Sequence, residues 1–398
     1  MKRIAIALGA LTVSVIVLGP VRHQVLHAQD SWGEDDHDRN RDHDQIVSID
    51  RFVPFLSTSL ANQGDQAHLF LREKFRRGRR HFRGVVLMVA GATTPVVPSL
   101  DLPFENYSFM GFLAKAGFDV FAMDLQGYGL SARPRMDDPC NTQPPQQSLL
   151  IPYPLATPCK PPYPFKMAIQ SDWDEIDRVV DYVRQYRGVD KVNLVSWSRG
   201  GPRTGGYASQ HPEKVEKLVL YSPAMYNRTG PSDPPPLPEP GFLMQLASIA
   251  NTFATWDGQV HCENQFQPDI RETIADTILA FDPLGSTWGD GSLSRAPLQN
   301  TLWGWNFSAA QGIVAPTLII HGQLDTQAPE PLQRDLFADL GTDQKVFVSV
   351  QCAAHQLVWE NQHMILLRAT AEWLRAGTFA DQSSGSFFVD TNGEVHPE

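Results

Sequence analysis

The chain has 398 residues, of which 42% are hydrophobic and 10% aromatic, with a formal net charge of −11. That length suffices for one large α/β domain carrying an insertion, or for two domains. The acidic balance argues against nucleic acid or an anionic membrane as a partner, and the basic run Arg72 to Arg83 reads as a solvated hairpin turn.

Lys2 and Arg3 precede an apolar stretch from Ile4 to Leu18, and Leu26-His27-Ala28 stands ahead of Gln29, the three-part plan of a secretory signal over residues 1–28. The apolar stretch falls short of the ~20 residues of a membrane-spanning helix. The protein is therefore expected to be secreted or periplasmic after cleavage near Ala28, with no stable membrane partner. Residues 29–49 are dense in Asp, His, Arg and Asn and are expected to form a disordered leader. His37 and His43 within it read as solvated rather than metal-binding.

From residue 50 the pattern alternates strand-like and helix-like segments, the sign of a mostly parallel sheet covered by helices on both faces. Arg51 to Ser59 and His68 to Phe75 predict an opening hairpin. Gly84 to Val89 and Asp119 to Met123 predict short buried strands, with Tyr107 to Ala116 as the helix between them. Residues 134–166 are rich in proline and predict an ordered loop insertion. Asp172 to Arg187 carries Trp173, Ile176, Val179, Val180 and Val183 at helical spacing. The strand Lys191 to Val195 follows, then Lys217 to Tyr221. Residues 222–315 open with PSDPPPLPEP, hold Phe253, Trp256, Trp288, Trp303 and Trp305, and are expected to form a cap domain. Pro316 to Ile320, Lys345 to Val350 and the helix Val358 to Ala376 complete a core of 50–221 and 316–380, and 381–398 read as a flexible tail.

Four cysteines in an exported chain predict two disulfides. Cys140 and Cys159 share the proline-rich segment and are favoured as a local staple, which leaves Cys262 with Cys352. Four unpaired buried thiols are the alternative.

The most informative stretch is Lys191 to Gly201, KVNLVSWSRGG, where an apolar run ends in Ser196-Trp197-Ser198-Arg199-Gly200 and a helix-like segment follows. A side chain at the tip of a sharp strand-to-helix turn needs small residues two before and two after it. Ser196 and Gly200 meet that need around Ser198. A serine hydroxyl also needs a base, and the base an orienting carboxylate. Asp325 follows the strand Pro316 to Ile320, and His355 follows Lys345 to Val350. Strand ends on one edge of a parallel sheet converge, so Ser198, Asp325 and His355 are expected to meet. His321 reads as structural, Asp124 as a turn-stabilising carboxylate and Glu360 as support for the last helix.

With its elbow and the chain order Ser, Asp, His, the sequence resembles the α/β-hydrolase superfamily, in its capped esterase and lipase-like branch. The likeness spans about Asp50 to Ala376. It includes Ala90-Gly91-Ala92-Thr93, where the family places its oxyanion loop, and Ala122 to Ser131, which looks like the turn D-x-R-G-x-G-x-S with Gln126 in place of arginine. The resemblance implies an α/β-hydrolase fold with Ser198 as nucleophile, His355 as general base, Asp325 as its orienting acid, and the N–H groups of Arg199 and Ala92 as oxyanion donors. Ala90-Gly91 stands where His-Gly is common, and Arg199 brings a cation next to the serine. Such chemistry requires neither metal nor cofactor.

The function expected is a serine hydrolase acting on a small or medium, largely apolar carboxylic ester. Two alternatives stay open: an amide or peptide hydrolase of the proline-iminopeptidase type, and a catalytically silent binding protein on the same fold. Substrate identity and oligomeric state are not legible at this level.

Overall fold

Strands β1 (Ile46–Leu56) and β2 (Gln66–Arg76) pair antiparallel along their whole length, Ile46 opposite Arg76 and Leu56 opposite Gln66. The computed structural model describes residues 45–78 and 81–398, so the predicted signal peptide and most of the predicted leader lie outside the described residues. Residues 46–49, assigned to the leader from composition, are ladder residues: Val47 and Ile49 pair with Phe75 and Glu73.

Strand β3 (Val85–Val89) is followed by helices α1 (Val96–Leu100) and α2 (Phe109–Lys115) and by β4 (Asp119–Met123). The proline-rich segment contains two 3₁₀ turns, Pro139–Asn141 and Pro144–Leu149, and is cross-linked by Cys140–Cys159. It leads through β5 (Met167–Ala168) into α3 (Ile169–Arg187), then β6 (Val192–Trp197), α4 (Gly206–Gln210) and β7 (Val215–Tyr221). Between β7 and the next strand of the main sheet lie β8 (Met244–Ser248), α5 (Ile249–Asp257), α6 (Ile270–Ala280), β9 (Leu293–Pro297), β10 (Gln299–Thr301) and α7 (Phe307–Gly312). Within this insertion β8 and β9 pair antiparallel, and Cys262 is bonded to Cys352. The chain returns through β11 (Thr317–Gly322), α8 (Glu330–Asp339), β12 (Lys345–Val350) and α9 (His363–Ala376). Helix α9 starts later than the apolar pattern predicts, because Leu357–Trp359 forms a separate 3₁₀ turn whose Trp359 Nε1 donates to Pro98 O at 2.9 Å.

The expectation of a flexible tail over 381–398 is corrected. Strands β13 (Gly385–Val389) and β14 (Val395–Pro397) extend the sheet, β13 parallel to β12 and β14 antiparallel to β13. Phe387 and Val389 alternate inward on β13 and join the core, a burial too short to read from a polar context.

The main sheet has ten strands in the order β1-β2-β4-β3-β6-β7-β11-β12-β13-β14. From β4 to β13 every neighbour is parallel. Alternate residues face opposite sides, so Met88, Ala122, Val195, Val219 and Ile320 pack with α2 and α9, whereas Leu87, Phe121, Leu194, Leu220 and Ile319 pack with α3 and α8. Burial on both faces explains why these strands read as unbroken apolar runs. At the end of α3, Arg187 pairs with the fully buried carboxylates of Glu73 and Asp119, and Arg51 reaches Glu73 at 2.6 Å.

Candidate active site

Strand β6 delivers Ser198 in the left-handed backbone region, φ 57°, which costs a residue with a Cβ strain energy. Ser198 N donates to Tyr221 O at 3.0 Å, and Ser198 O accepts from Gly201 N and Ala224 N at 2.9 and 3.0 Å. A Cβ on Gly200 would lie 2.6 Å from Ser196 Cβ and 2.9 Å from Val89 O, so strand and helix approach closely enough to require glycine there. Ser196, on the other side of the turn, fits with its Oγ 2.7 Å from Thr204 Oγ1. A Cβ on Gly91 would lie 2.9 Å from Ser198 Cβ, so the loop after β3 passes directly beside this serine.

Asp325 and His355 stand at the ends of β11 and β12. His355 Nδ1 lies 2.8 Å from Asp325 Oδ2, and Asp325 Oδ1 accepts from the N–H groups of Gln327 and Ala328 at 2.9 and 2.8 Å. Burial alone would raise the Asp325 carboxyl; the neighbouring His355 and the hydrogen bonds it accepts outweigh that and hold it below its ordinary value. The His355 carbonyl accepts from Trp197 Nε1 at 2.9 Å and from the Tyr221 hydroxyl.

Ser198 and His355 line one cavity of about 280 Å³. Gly91, Ala92, Thr93 and Thr94 form one wall, Trp197 and Trp359 another, and α5 contributes Asn251, Thr252 and Thr255 as a roof. Ala92 lines the same cavity as Ser198. Arg199 lines a separate small hollow with Ile169, Pro202, Met225, Thr301 and Leu302. A serine held this way, in the same cavity as a histidine bonded to a carboxylate, has the parts needed for acyl transfer.

Other buried titratable residues have different surroundings. His321 is buried with Nδ1 2.8 Å from Gln333 Nε2. Asp124 Oδ1 accepts from Val96 N at 2.7 Å, and burial pushes its carboxyl up to about 6. Glu360 accepts from Ala354 N, Trp256 Nε1 and Gln265 Nε2 at 2.8, 2.8 and 2.9 Å, and burial pushes it up to about 7. Burial and then Glu73 also push Asp119 up to about 7. These acids keep protons on folding that the unfolded chain releases near pH 4, so their contribution to stability falls as pH rises through about 5 to 7, while His321 and His363, held below the ordinary imidazole value mainly by burial, offset part of it at the lower end of that range. The thermal midpoint is expected to be higher at about pH 5 than at about pH 8. Calorimetry across that window checks this, and a midpoint that climbs steadily with pH would contradict it.

Two contributions were not visible in the sequence. Arg203, in a π-helical turn over Gly201–Gly205, is fully buried. Its Nε donates to Asp172 Oδ2 at 2.8 Å, its Nη2 to the Tyr128 hydroxyl at 2.9 Å, and its Nη1 to Ala90 O and Gly91 O at 3.0 and 2.8 Å. One guanidinium thus holds the loop that leads to Ala92. The only hint in the sequence is a charged residue set among small ones in GGPRTGG. Gln259, in the insertion, touches both the Asp325 and the His355 loops, and nothing in its sequence context marks it.

The sequence model for the α/β hydrolase fold matches residues 84–362. Among curated proteins, 44 residues are 52% identical to the poly(3-hydroxyalkanoate) polymerase subunit PhaC of Allochromatium vinosum, covering 11% of this chain and only 12% of that protein. Among solved structures, the chain is similar to a thermophilic esterase from Thermogutta terrifontis, with 16% identity, 82% of this chain and 98% of that one covered, and a TM-score of 0.49. It is also similar to a monoacylglycerol lipase from Paleococcus ferrophilus, with 20% identity, 78% and 99% coverage, and a TM-score of 0.47. A family match over well more than half its length, on a parallel sheet flanked by helices, means that the chain belongs to the α/β-hydrolase fold family.

Proposed function

We propose that this hydrolase is an exported serine esterase that works through Ser198, His355 and Asp325. The observation that carries the reading is the strained Ser198 in the same cavity as His355, whose far nitrogen is bonded to Asp325. Ser198 Oγ attacks the ester carbonyl as His355 takes its proton, and Asp325 holds the ring in the required tautomer. The N–H groups of Ala92 and Arg199 stabilise the tetrahedral oxyanion. His355 then protonates the leaving alcohol, and water releases the acyl group by the same route in reverse. Two disulfides support export. Among the described residues no helix is long and apolar enough to cross a membrane.

The cavity walls narrow the substrate. Leu246, Ala247 and Trp359 supply apolar surface, but Thr93, Thr94, Asn251, Thr252, Gln327 and Gln356 stand among them. A space of about 280 Å³ with mixed walls suits a short acyl group that accepts or donates hydrogen bonds better than a long alkyl chain. The likeness to a polymerase of 3-hydroxyalkanoates, though confined to 44 residues, points the same way. Initial rates on p-nitrophenyl esters from acetate to palmitate, with 3-hydroxybutyrate included, test both points. Turnover is expected to peak at short chains and to fall steeply toward palmitate. A rate still rising at palmitate would overturn the small-pocket reading, and turnover of aminoacyl anilides but of no ester would select the amide hydrolase.

A further inference from the structure

The segment after α5 binds the two loops that carry Asp325 and His355. Gln259 is buried, and its Oε1 accepts the backbone N–H of Thr326 at 3.0 Å and that of His355 at 3.4 Å. One amide oxygen therefore sits between the residue after the acid and the base itself. Its Nε2 donates to Thr255 O at 3.3 Å and to Gln356 Oε1 at 3.4 Å.

Gln259 is itself held in place. Gln265 Nε2 donates to Gln259 O at 3.3 Å and to Glu360 Oε1 at 2.9 Å, while Gln265 Oε1 accepts from His261 N and Cys262 N at 3.0 and 3.2 Å. Trp256 Nε1 donates to the same Glu360, whose other oxygen accepts from Ala354 N. The bond Cys262–Cys352 closes the arrangement three residues before His355. The two loops also meet directly, Leu324 N donating to Ala353 O at 2.8 Å, and Gln259 adds to that contact an acceptor shared by Thr326 and His355 themselves.

On the reading that Ser198, Asp325 and His355 act as a triad, we infer that Gln259 is a positioning residue that sets the distance between acid and base from within the insertion. Gln259 is not among the residues that line the cavity, and its contacts with the acid and base loops are to backbone N–H groups, so it works through the two loops. Removing the acceptor lets the His355 loop shift relative to Asp325, and a misplacement of about 1 Å costs on the order of 10²-fold in rate. The larger loss falls on kcat, through the acid and base loops, with a smaller effect on KM because Thr255 and Gln356, which Gln259 Nε2 also holds, line the cavity.

Gln259→Leu, Gln259→Asn and Gln259→Glu in the full disulfide-bonded protein test this. Gln259→Leu is expected to lower kcat on the order of 10²-fold with a much smaller change in KM. Gln259→Glu keeps an acceptor oxygen but loses the donor to Thr255 O and Gln356 Oε1, so it is expected to retain more rate than Gln259→Leu without full recovery. Should Gln259→Leu fail to fold, Gln259→Asn withdraws the same amide by one methylene and carries the same expectation. A folded variant without the acceptor that turns over at the wild-type rate, a change confined to KM, or equal losses in all three variants would overturn the inference. The rate of Ser198 modification by a fluorophosphonate reports on the triad without any ester. A wild type that labels but hydrolyses no ester moves the substrate class while Gln259 is still read from labelling rates, and a wild type that does not label overturns both.

Discussion

Ser198→Ala is expected to lower ester turnover on the order of 10⁶-fold while the protein keeps its fold. The size follows from the triad acting as a unit, since without a nucleophile the His355–Asp325 pair has no proton to move and only binding and the oxyanion donors remain. The fold should survive because the substitution removes one hydroxyl from a partly exposed position, and alanine suits the strained backbone no worse than serine. Ser196→Ala is the matched control. Its hydroxyl bonds Thr204 inside the turn, so its loss costs about 1 kcal/mol of stability and little rate. Rates of both variants with urea melts check the pair, and near wild-type turnover by Ser198→Ala would end the proposed mechanism.

Arg203→Met carries the largest expected effect on stability. The guanidinium is buried, paired with buried Asp172, stacked over the Tyr128 ring at 4.9 Å, and bonded to two carbonyls of the loop after β3. Taking one partner out of a buried ion pair costs about 3–5 kcal/mol. Methionine fills the stem volume but supplies none of the donors, so Asp172 loses its arginine and the loop loses the group that fixes Ala90 and Gly91. Denaturation midpoints should fall accordingly, and on the proposed mechanism kcat should drop as the loop that carries Ala92 loosens beside Ser198. Asp172→Asn combined with Arg203→Met should be less damaging than the sum of the single changes, because the two residues share one interaction. An Arg203→Met protein with an unchanged midpoint would show that this contact contributes nothing.

The parts of this site that were legible are those with a period or a motif. The parallel strands show as apolar runs, and their ends carry Ser198, Asp325 and His355 in an order that only a converging sheet edge makes meaningful. Contacts that join residues remote in sequence left no such trace. Arg203 meets Asp172 across 31 positions, and Gln259 meets His355 across 96. Each is a single polar residue whose role exists only after the chain has folded. Strand β13 was missed for a different reason: two inward residues, Phe387 and Val389, are too few to establish a period. Arg199 enters through the resemblance by its backbone N–H, and the cation that the sequence brings next to Ser198 lines a small hollow with Ile169 and Met225 rather than the Ser198 cavity.

The C-terminal hairpin matters most for what it covers. Strand β12 is buried along five of its six residues, and β13 takes up its outer hydrogen-bonding groups. Beyond it, β14 is three residues long, exposed and ends at Pro397, a short rim ill suited to recruit another strand. A chain cut before Gly385 would present Lys345–Val350 as a raw, apolar edge of the kind that templates cross-chain pairing. Removal of the hairpin is therefore expected to raise the tendency to self-associate, which light scattering of a chain ending before Gly385 would show.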